Sequence, residues 1–232
     1  MLFSGGLDSA VLLAQAAARG GPIVALYVSV GFAWEREERE MAARLLTTPP
    51  FTAVEWVELS FDMRDVFPAT HWAIRGTPPG FETPDEDVYL DGRNLILLSK
   101  AAVYMARRAA GAGASVTLML GPLAGNPFPD ATPEFFAAIA RALSLGLATP
   151  IDVETPFAAM RKADVIRRGR ELGVPLELTL SCMEPKGGMH CGRCSKCRER
   201  SEAFAEAGVA DPTPYREMRS TTPSAAPSRR PS

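Results

Sequence analysis

Short apolar segments alternate with longer amphipathic segments along most of the chain, and this alternation restricts the possible folds more than any other feature. The strand-like segments are 23–28, 53–59, 116–120 and 151–153. The helix-like segments are 7–19, 34–46, 95–110, 133–147 and 160–172. Strands that alternate with helices form parallel sheets covered on both faces. The sequence therefore predicts an α/β fold with a mainly parallel, doubly wound sheet, where ligands bind at the carboxyl ends of the strands.

The start of the chain does not fit this pattern well. Only Met1, Leu2 and Phe3 precede a glycine-containing loop that should follow a full strand of about five residues. A central strand that short would leave backbone groups of its neighbours unpaired. The expectation is that the chain as given begins too late, inside its first strand.

Composition divides the chain into three predicted regions. An α/β domain spans residues 1–175, and a small helical region that contains all four cysteines spans residues 176–210. Residues 211–232 are rich in Pro, Ser, Thr and Arg, which bury little apolar surface, so this tail is predicted to be disordered. A polar, proline-rich loop is predicted over residues 62–86.

Charge and hydropathy exclude several classes of protein. The 232 residues carry a formal charge of −2, from 25 basic and 27 acidic side chains, so the basic surface of a nucleic-acid binder is not expected. No apolar run approaches the roughly 20 residues of a membrane span. No charged-then-apolar signal segment opens the chain. These features predict a cytoplasmic protein without a membrane or nucleic-acid partner.

A glycine pair precedes the first helix-like segment. Without a Cβ, the backbone can turn tightly at the pair and approach a ligand closely, and the helix behind it offers free N–H groups to an anion. A glycine pair alone would also suit an ordinary strand-to-helix turn. The full string of residues 4–9, Ser-Gly-Gly-Leu-Asp-Ser, resembles the pyrophosphate loop of the adenine-nucleotide α-hydrolases. It is not the Walker A pattern, because the Gly-Lys-Ser/Thr ending is missing. The residues assigned to ATP by this resemblance are Ser4, Gly5, Gly6, Leu7, Asp8 and Ser9.

All four cysteines lie within sixteen residues, separated by eight, two and two residues: Cys182, Cys191, Cys194 and Cys197. Such short spacings suit a knuckle in which successive sulfurs point at one ion, and four thiolates complete a tetrahedron around Zn²⁺. A structural zinc site is predicted, with an iron–sulfur cluster as the alternative. The neighbouring His190 is then a loop residue, because four sulfurs already suffice.

A consequence concerns catalysis. If zinc holds every thiol of the chain, none remains as the nucleophile of a glutaminase or of persulfide chemistry. Any nitrogen donor must then be ammonia, free or delivered by a partner.

Further segments accompany the loop and the cysteines in a definite order. They are 92–96, 128–130, 133–135, 155–156, 162–164, 171–179 and 181–200. Together with residues 4–9, they resemble the 7-cyano-7-deazaguanine synthase family, and the similarity runs from about residue 2 to residue 211.

The resemblance implies an activity. Members use ATP to adenylate the carboxylate of 7-carboxy-7-deazaguanine, ammonia displaces AMP to give an amide, and a second adenylation of the amide yields the nitrile. Mg²⁺ would neutralise the triphosphate and the leaving pyrophosphate. Relatives in the family also suggest a homodimer.

Roles for individual residues follow from the same resemblance. In the catalytic set, Asp8 would hold Mg²⁺ or fix the loop, Ser9 would donate its hydroxyl, and Lys162 would stabilise pyrophosphate. A lysine on a helix is otherwise usually a solvated residue.

The predicted substrate site contains Arg93, Asn94, Phe128 and Asp130. Arg93 and Asn94 would orient the nucleobase or the carboxylate, and otherwise form a turn with a helix cap. Asp130 would bond a guanine-like edge.

Two segments depart from the family pattern. The usual Asp-Tyr-Gly-Gln-x-His is replaced at residues 29–34. Within residues 124–132, the pattern is lost at 124–127 and at 131–132, on either side of the matching segment 128–130. Both were expected at the base and acyl sites. The alternatives are therefore a diverged ligase that adenylates another carboxylate or amide, and a non-catalytic, zinc-stabilised module that binds a nucleotide or tRNA.

Overall fold

The computed structural model describes residues 1–110 and 115–217. The strands are β1 (Val24–Ser29), β2 (Glu55–Ser60), β3 (Val116–Met119) and β4 (Ile151–Glu154). The helices are α1 (Leu7–Ala18), α2 (Glu35–Leu46), α3 (Trp72–Arg75), α4 (Arg93–Ala109), α5 (Pro133–Leu147), α6 (Lys162–Glu171) and α7 (Ser195–Ala207). Within the described ranges, every helix is too short or too polar to span a bilayer.

The sheet is parallel, and its two halves meet at the N-terminal segment. β1 pairs with β2, and β3 pairs with β4. Between these pairs, Leu26 donates its N–H to Met1 O, Phe3 donates to Leu26 O, and Leu2 donates to Met119 O, each at 2.8 Å. The order across the sheet is thus β2, β1, N-terminal segment, β3, β4. The three residues before the loop therefore occupy the middle of the sheet.

Side chains on the two faces of the sheet pack in separate apolar clusters. Phe3 and Ala25 face helices α1, α2, α6 and α7. Leu2 and Leu26, one residue away along each segment, face α4 and α5. Because neighbouring side chains of an extended segment point to opposite faces, both faces are covered by helices. The predicted doubly wound α/β fold is confirmed.

Local sequence signals explain most element boundaries. Helix α5 begins after Thr132, whose Oγ1 accepts the N–H of Phe135 at 3.1 Å, and Pro133 occupies the first turn. Helix α7 ends at Gly208, which adopts a left-handed conformation with φ of 67°. The loop predicted over 62–86 contains the short helix α3, which sequence periodicity cannot detect in four residues.

The C-terminal segment is ordered further than composition predicts. Thr213 is buried, Tyr215 donates its hydroxyl to Asp211 at 2.7 Å, and Pro214 O accepts the N–H of His190 at 2.9 Å. The predicted disorder is therefore wrong for residues 211–217, because these contacts supply the burial that composition lacks. Residues 218–232 of that tail lie outside the described residues.

The division at residues 175 and 210 stays a prediction. Ala203 and Phe204 of α7 belong to the same core cluster as Leu13 of α1, so the cysteine-containing region shares the core of the α/β domain. A further apolar cluster surrounds the four cysteines.

Helices α1 and α6 approach closely at a glycine. A Cβ on Gly169 would lie 2.7 Å from Val11 Cγ2 and 3.1 Å from Leu176 Cδ2, whereas nothing lies within 4 Å of the corresponding position on Gly146 of α5. Alanine favours a helix by up to about 1 kcal/mol over glycine, but overpacking a core costs about 1–3 kcal/mol. We expect Gly169→Ala to lower the free energy of unfolding and Gly146→Ala to leave it equal or higher.

Denaturant unfolding of both variants measures this difference. In the Gly169→Ala background, Val11→Ala should destabilise less than it does in the wild type, because it makes room for the new methyl group. A Gly169→Ala protein as stable as Gly146→Ala would contradict the close packing of the two helices.

Candidate active site and metal centre

The glycine loop lies between the N-terminal segment and α1. A close approach to α2 and one backbone hydrogen bond fix its conformation at Gly5. Gly5 has φ of 75°, and a Cβ there would lie 2.9 Å from Ala42 Cβ on α2. Its carbonyl accepts the N–H of Leu180 at 3.0 Å. Glycine is therefore required at residue 5 by both conformation and space.

The two serines of the loop bond to one another and to its backbone. Ser9 Oγ donates to Gly6 O at 2.9 Å and accepts the N–H of Ser4 at 3.3 Å, while Ser4 Oγ accepts the N–H of Gly6 at 3.2 Å. No side chain in the described ranges caps α1. The first-turn N–H groups at Leu7, Asp8 and Ser9 are therefore available to an anion. The side chain of Leu7 itself lies in the core.

Lys162, at the start of α6, joins the loop to α7. Its Nζ donates to Asp8 Oδ2 at 3.1 Å and to Glu199 Oε1 at 2.7 Å. Burial opposes the charge of Lys162, but attraction by Asp8 and Glu199 outweighs burial and raises its pKa. Burial also opposes the charge of Glu199, but Lys162 and Lys196 lower its pKa to about 2. The three groups form a partly buried, charged set, of which only Asp8 and Lys162 were predicted from the sequence.

The second carboxylate oxygen of Asp8 is suited to a cation. Among the described residues, none bonds to Asp8 Oδ1, although this atom is buried. An unpaired buried carboxylate oxygen beside free helix N–H groups fits a Mg²⁺ ion that accompanies phosphates, since Mg²⁺ takes oxygen ligands.

A cavity of about 300 Å³ connects the loop with the predicted substrate residues. Ser4, Gly6, Asp8 and Ser9 line one end. Lining the other side are Tyr89, Arg93, Asn94, Phe128 and Asp130. The structure thus brings together the loop and all four predicted substrate residues, from segments far apart in sequence. Lys162 is absent from the described lining and contacts Asp8 from behind.

Asp130 and Asn94 are bonded to each other. Asp130 Oδ2 accepts the N–H of Asn94 at 3.0 Å, and Asn94 Nδ2 donates to Asp130 O at 3.0 Å. Asn94 lies in the first turn of α4, so the carboxylate also caps this helix from another segment. Burial raises the pKa of Asp130, although the bonds from Asn94 oppose that change.

Aromatic and cationic groups complete this side of the cavity. The rings of Phe128 and Tyr89 lie 5.2 Å apart between centroids. Arg93 lies 6.0 Å from the centroid of the Phe32 ring, and its buried Nε has no partner in the described part of the chain. Tyr89 was not predicted from the sequence, since a tyrosine in an irregular loop carries no distinguishing pattern.

The departure at residues 29–34 lies outside the described cavity lining. Glu35 holds this turn: its Oε1 accepts the N–H of Val30 at 2.8 Å, and its Oε2 accepts the N–H of Gly31 at 3.1 Å. The departures on either side of residues 128–130, in contrast, supply Asn126 to the cavity, beside Phe128 and Asp130, which match the family pattern. The sequence predicts that both departures lie at the substrate site, but only the one that contains Asn126 borders the described cavity.

Glutamates at the start of α2 are buried, contrary to the solvated face that an amphipathic helix would present. Glu38 accepts the hydroxyl of Tyr27 at 2.9 Å, and burial raises the pKa of Glu38 to about 7. Glu37 accepts the N–H of Gly188 at 3.0 Å. These carboxylates bond to strand β1 and to the cysteine region, which sequence periodicity does not reveal.

The four cysteines converge in the structure. Their sulfur atoms all lie within 4.8 Å of one another, and each cysteine is at most 2% exposed. Cys191 and Cys197 Sγ are 3.8 Å apart, and Cys194 and Cys197 Sγ are 3.5 Å apart. Sulfurs at about 2.3 Å from a tetrahedral zinc ion lie roughly 3.8 Å from one another. The separations fit a metal, and they far exceed the roughly 2.05 Å of a disulfide.

Backbone groups around the cluster are arranged for thiolates. Cys182 Sγ lies 3.2 Å from the N–H groups of Glu184 and Cys191, and Cys197 Sγ lies 3.4 Å from the N–H of Gly192. His190 points elsewhere: its Nε2 accepts the N–H of Ser181 at 3.1 Å, and burial lowers its pKa to about 3. His190 is therefore a neutral structural residue beside the cluster.

Comparisons with known proteins agree with this arrangement. A family model described as queuosine biosynthesis protein QueC matches residues 1–208. A relative from Methanoculleus marisnigri, named 7-cyano-7-deazaguanine synthase, is 37% identical over 92% of this chain and 96% of its own. Relatives of the same name come from Caldicellulosiruptor bescii (35% identical, over 93% of this chain and 96% of that protein) and Syntrophotalea carbinolica (33%, over 93% and 95%).

A solved structure, that of NMN synthetase from Francisella tularensis, matches 90% of this chain and 76% of its own with a TM-score of 0.42 and 17% identity. This likeness is too slight to carry an argument. The match of the family model over most of the chain, supported by relatives above 30% identity along nearly their whole length, confirms the resemblance seen in the sequence: the chain belongs to the QueC family of queuosine biosynthesis proteins.

Proposed function

We propose that this chain is an ATP-dependent ligase that converts 7-carboxy-7-deazaguanine and ammonia into 7-cyano-7-deazaguanine. One observation carries the proposal: a single cavity joins the phosphate-binding loop to an aromatic pair and a set of polar groups suited to a flat heterocycle. The names of the relatives supply the substrate.

The reaction requires two activations. The substrate carboxylate attacks the α-phosphate of ATP, which releases pyrophosphate and leaves an acyl adenylate. Ammonia then displaces AMP to form the amide. The amide oxygen attacks the α-phosphate of a second ATP and releases pyrophosphate. AMP then leaves together with that oxygen. The nitrogen loses two protons in these steps, and the nitrile remains. Each nitrile therefore consumes two ATP and produces two AMP and two pyrophosphates.

Residues of the loop bind and orient the phosphates. The N–H groups of Leu7, Asp8 and Ser9 face the leaving pyrophosphate, where the positive end of the α1 dipole adds to them. Asp8 Oδ1 would hold Mg²⁺, which supplies charge neutralisation of the triphosphate when bound. Lys162 keeps Asp8 oriented and adds positive charge behind it.

On the substrate side, Phe128 and Tyr89 offer faces to the deazapurine ring, and Arg93 offers positive charge to its carboxylate. Asp130 fixes Asn94 and retains acceptor positions for a guanine-like edge. A carboxylate oxygen accepts more than one bond, so the two roles are compatible.

The remaining parts of the proposal concern zinc, ammonia and location. Cys182, Cys191, Cys194 and Cys197 hold Zn²⁺ as a closed structural site without an open ligand position. With every thiol engaged, ammonia is the nitrogen donor. We place the reaction in the cytoplasm, where thiols stay reduced. Every residue assigned here lies on one chain, whether or not the chain forms a homodimer.

A diverged ligase is the second candidate, because the departure at residues 124–127 supplies Asn126 to the cavity wall. Such an enzyme would bind ATP in the same loop but adenylate another carboxylate or amide.

The reaction predicts its own stoichiometry. With ATP, Mg²⁺, ammonium and 7-carboxy-7-deazaguanine, we expect two AMP for each nitrile, measured by chromatography and product mass. Leaving out the deazapurine should abolish AMP release. ATP binding without AMP release on this substrate would instead identify the diverged ligase, and no ATP binding would contradict enzymatic function.

Loss of Lys162 should slow the reaction. Removing an outer partner that orients a metal-binding carboxylate typically costs about 10–100-fold in metal affinity or activity, so Lys162→Met is expected to lower AMP formation by about tenfold to a hundredfold. Lys196→Met is the matched control, because Lys196 bonds to the same Glu199 at 2.8 Å without contacting the loop. Equal activities of the two variants would contradict the role of Lys162.

The metal centre should contain zinc. We expect about one zinc per chain by elemental analysis, and Cys197→Ser should lose most of it and unfold at lower temperature, since structural zinc contributes directly to folding. His190→Gln is the control and should retain zinc, because His190 Nε2 bonds to Ser181 instead. Iron with inorganic sulfide in the purified protein would contradict the assignment.

A further inference from the structure

We propose that helix α7 positions both halves of the active cavity through two adjacent residues. Glu199 positions the phosphate half, and Arg198 positions the wall against which the deazapurine lies. Neither residue lines the described cavity, so both act through other groups. The inference rests on the proposed function for the identity of the two ligands.

Arg198 fixes an irregular loop by its backbone. Its Nη1 donates to Phe81 O at 2.8 Å, and its Nη2 donates to Thr83 O at 3.2 Å and lies 3.9 Å from Asp85 Oδ1. The Arg198 side chain is only 18% exposed. A planar guanidinium can hold two carbonyls in one fixed geometry, which a lysine cannot.

The same loop continues directly into the cavity wall. Asp85–Val88 forms a single helical turn, and Val88, Tyr89 and Leu90 line the cavity. Val88 and Leu90 also pack in the apolar cluster that contains the four cysteines. The position of the Tyr89 ring therefore depends on a segment that Arg198 anchors six and eight residues earlier.

Glu199 positions the other half of the cavity, at the loop, through Lys162. Its Oε1 accepts Lys162 Nζ at 2.7 Å, and Lys162 in turn holds Asp8 of the loop at 3.1 Å. Loss of the Glu199 charge would leave Lys162 paired with Asp8 alone. Asp8 would then be drawn more strongly toward Lys162 and offered less freely to a cation.

Helix α7 is itself immobilised by other contacts. Cys194 precedes it and Cys197 lies in its first turn. Arg200 is completely buried and donates to Thr179 Oγ1 at 2.9 Å and to Leu176 O at 2.8 Å. Four consecutive residues thus have four different partners. Cys197 belongs to the cysteine cluster, Arg198 bonds to the loop that leads into the cavity wall, Glu199 reaches the glycine loop through Lys162, and Arg200 bonds within the core.

The test is a pair of variants with opposite expected effects. Arg198→Met should raise KM for 7-carboxy-7-deazaguanine about tenfold and leave KM for ATP within about twofold, a difference that corresponds to about 1.4 kcal/mol. Glu199→Gln should raise KM for ATP and the Mg²⁺ requirement about tenfold and leave KM for the deazapurine within about twofold. Both ligands are also measured by calorimetry, with the α,β-methylene analogue in place of ATP.

Arg193→Met is the matched control for Arg198. Arg193 lies beside the same metal cluster, but its exposed side chain pairs with Glu184 outside the cavity. The KM values of Arg193→Met for ATP and for the deazapurine should match those of the wild type. Zinc content and melting temperature show that each variant is folded, and Arg198→Lys should give an intermediate KM for the deazapurine.

Distinct results overturn the two proposals. Equal increases in both KM values for Arg198→Met, or no increase, would overturn the positioning role while the wild type still forms the nitrile. If the wild type forms no nitrile, the proposed function fails, but weaker binding of the ATP analogue to Glu199→Gln than to the wild type still supports the phosphate half.

Discussion

The site depends on the ammonium group of Lys162, which lies largely buried between carboxylates from two distant segments. A buried charge without a partner is strongly destabilising, so Lys162 requires Asp8 and Glu199 to stay in place. The glycine loop and the cysteine-bearing helix are thereby held at one distance from each other. The bond between Lys162 and Asp8 joins residues that are 154 positions apart in the sequence.

Short-range patterns predicted much of the fold. Apolar periodicity located the four strands and helices α1, α2, α4, α5 and α6 to within a few residues, with α5 at its observed bounds. It did not give the bounds of α7, for which only a helical region over 176–210 was predicted. Turn and cap chemistry is local, so sequence alone reveals it. The glycine loop and the cysteine string were recognisable for the same reason: their chemistry lies within a few consecutive residues.

Contacts between distant segments could not be predicted in this way. Glu199 has no signature of its own, since its role depends on Lys162 across the fold. The glutamates of α2 have the pattern of a solvated face, but hydrogen bonds to Tyr27 and Gly188 allow Glu38 and Glu37 to be buried. Residues 211–217 look disordered by composition, yet the backbone of His190 gives them partners.

The N-terminal segment in the middle of the sheet has a thermodynamic consequence. It joins β1 to β3 through a few hydrogen bonds, and the glycine loop follows it immediately. Separation of the two half-sheets at the N-terminal segment must displace the loop as well. A nucleotide that binds only the closed loop therefore draws the equilibrium toward the intact sheet, so that ligand concentration and global stability are linked.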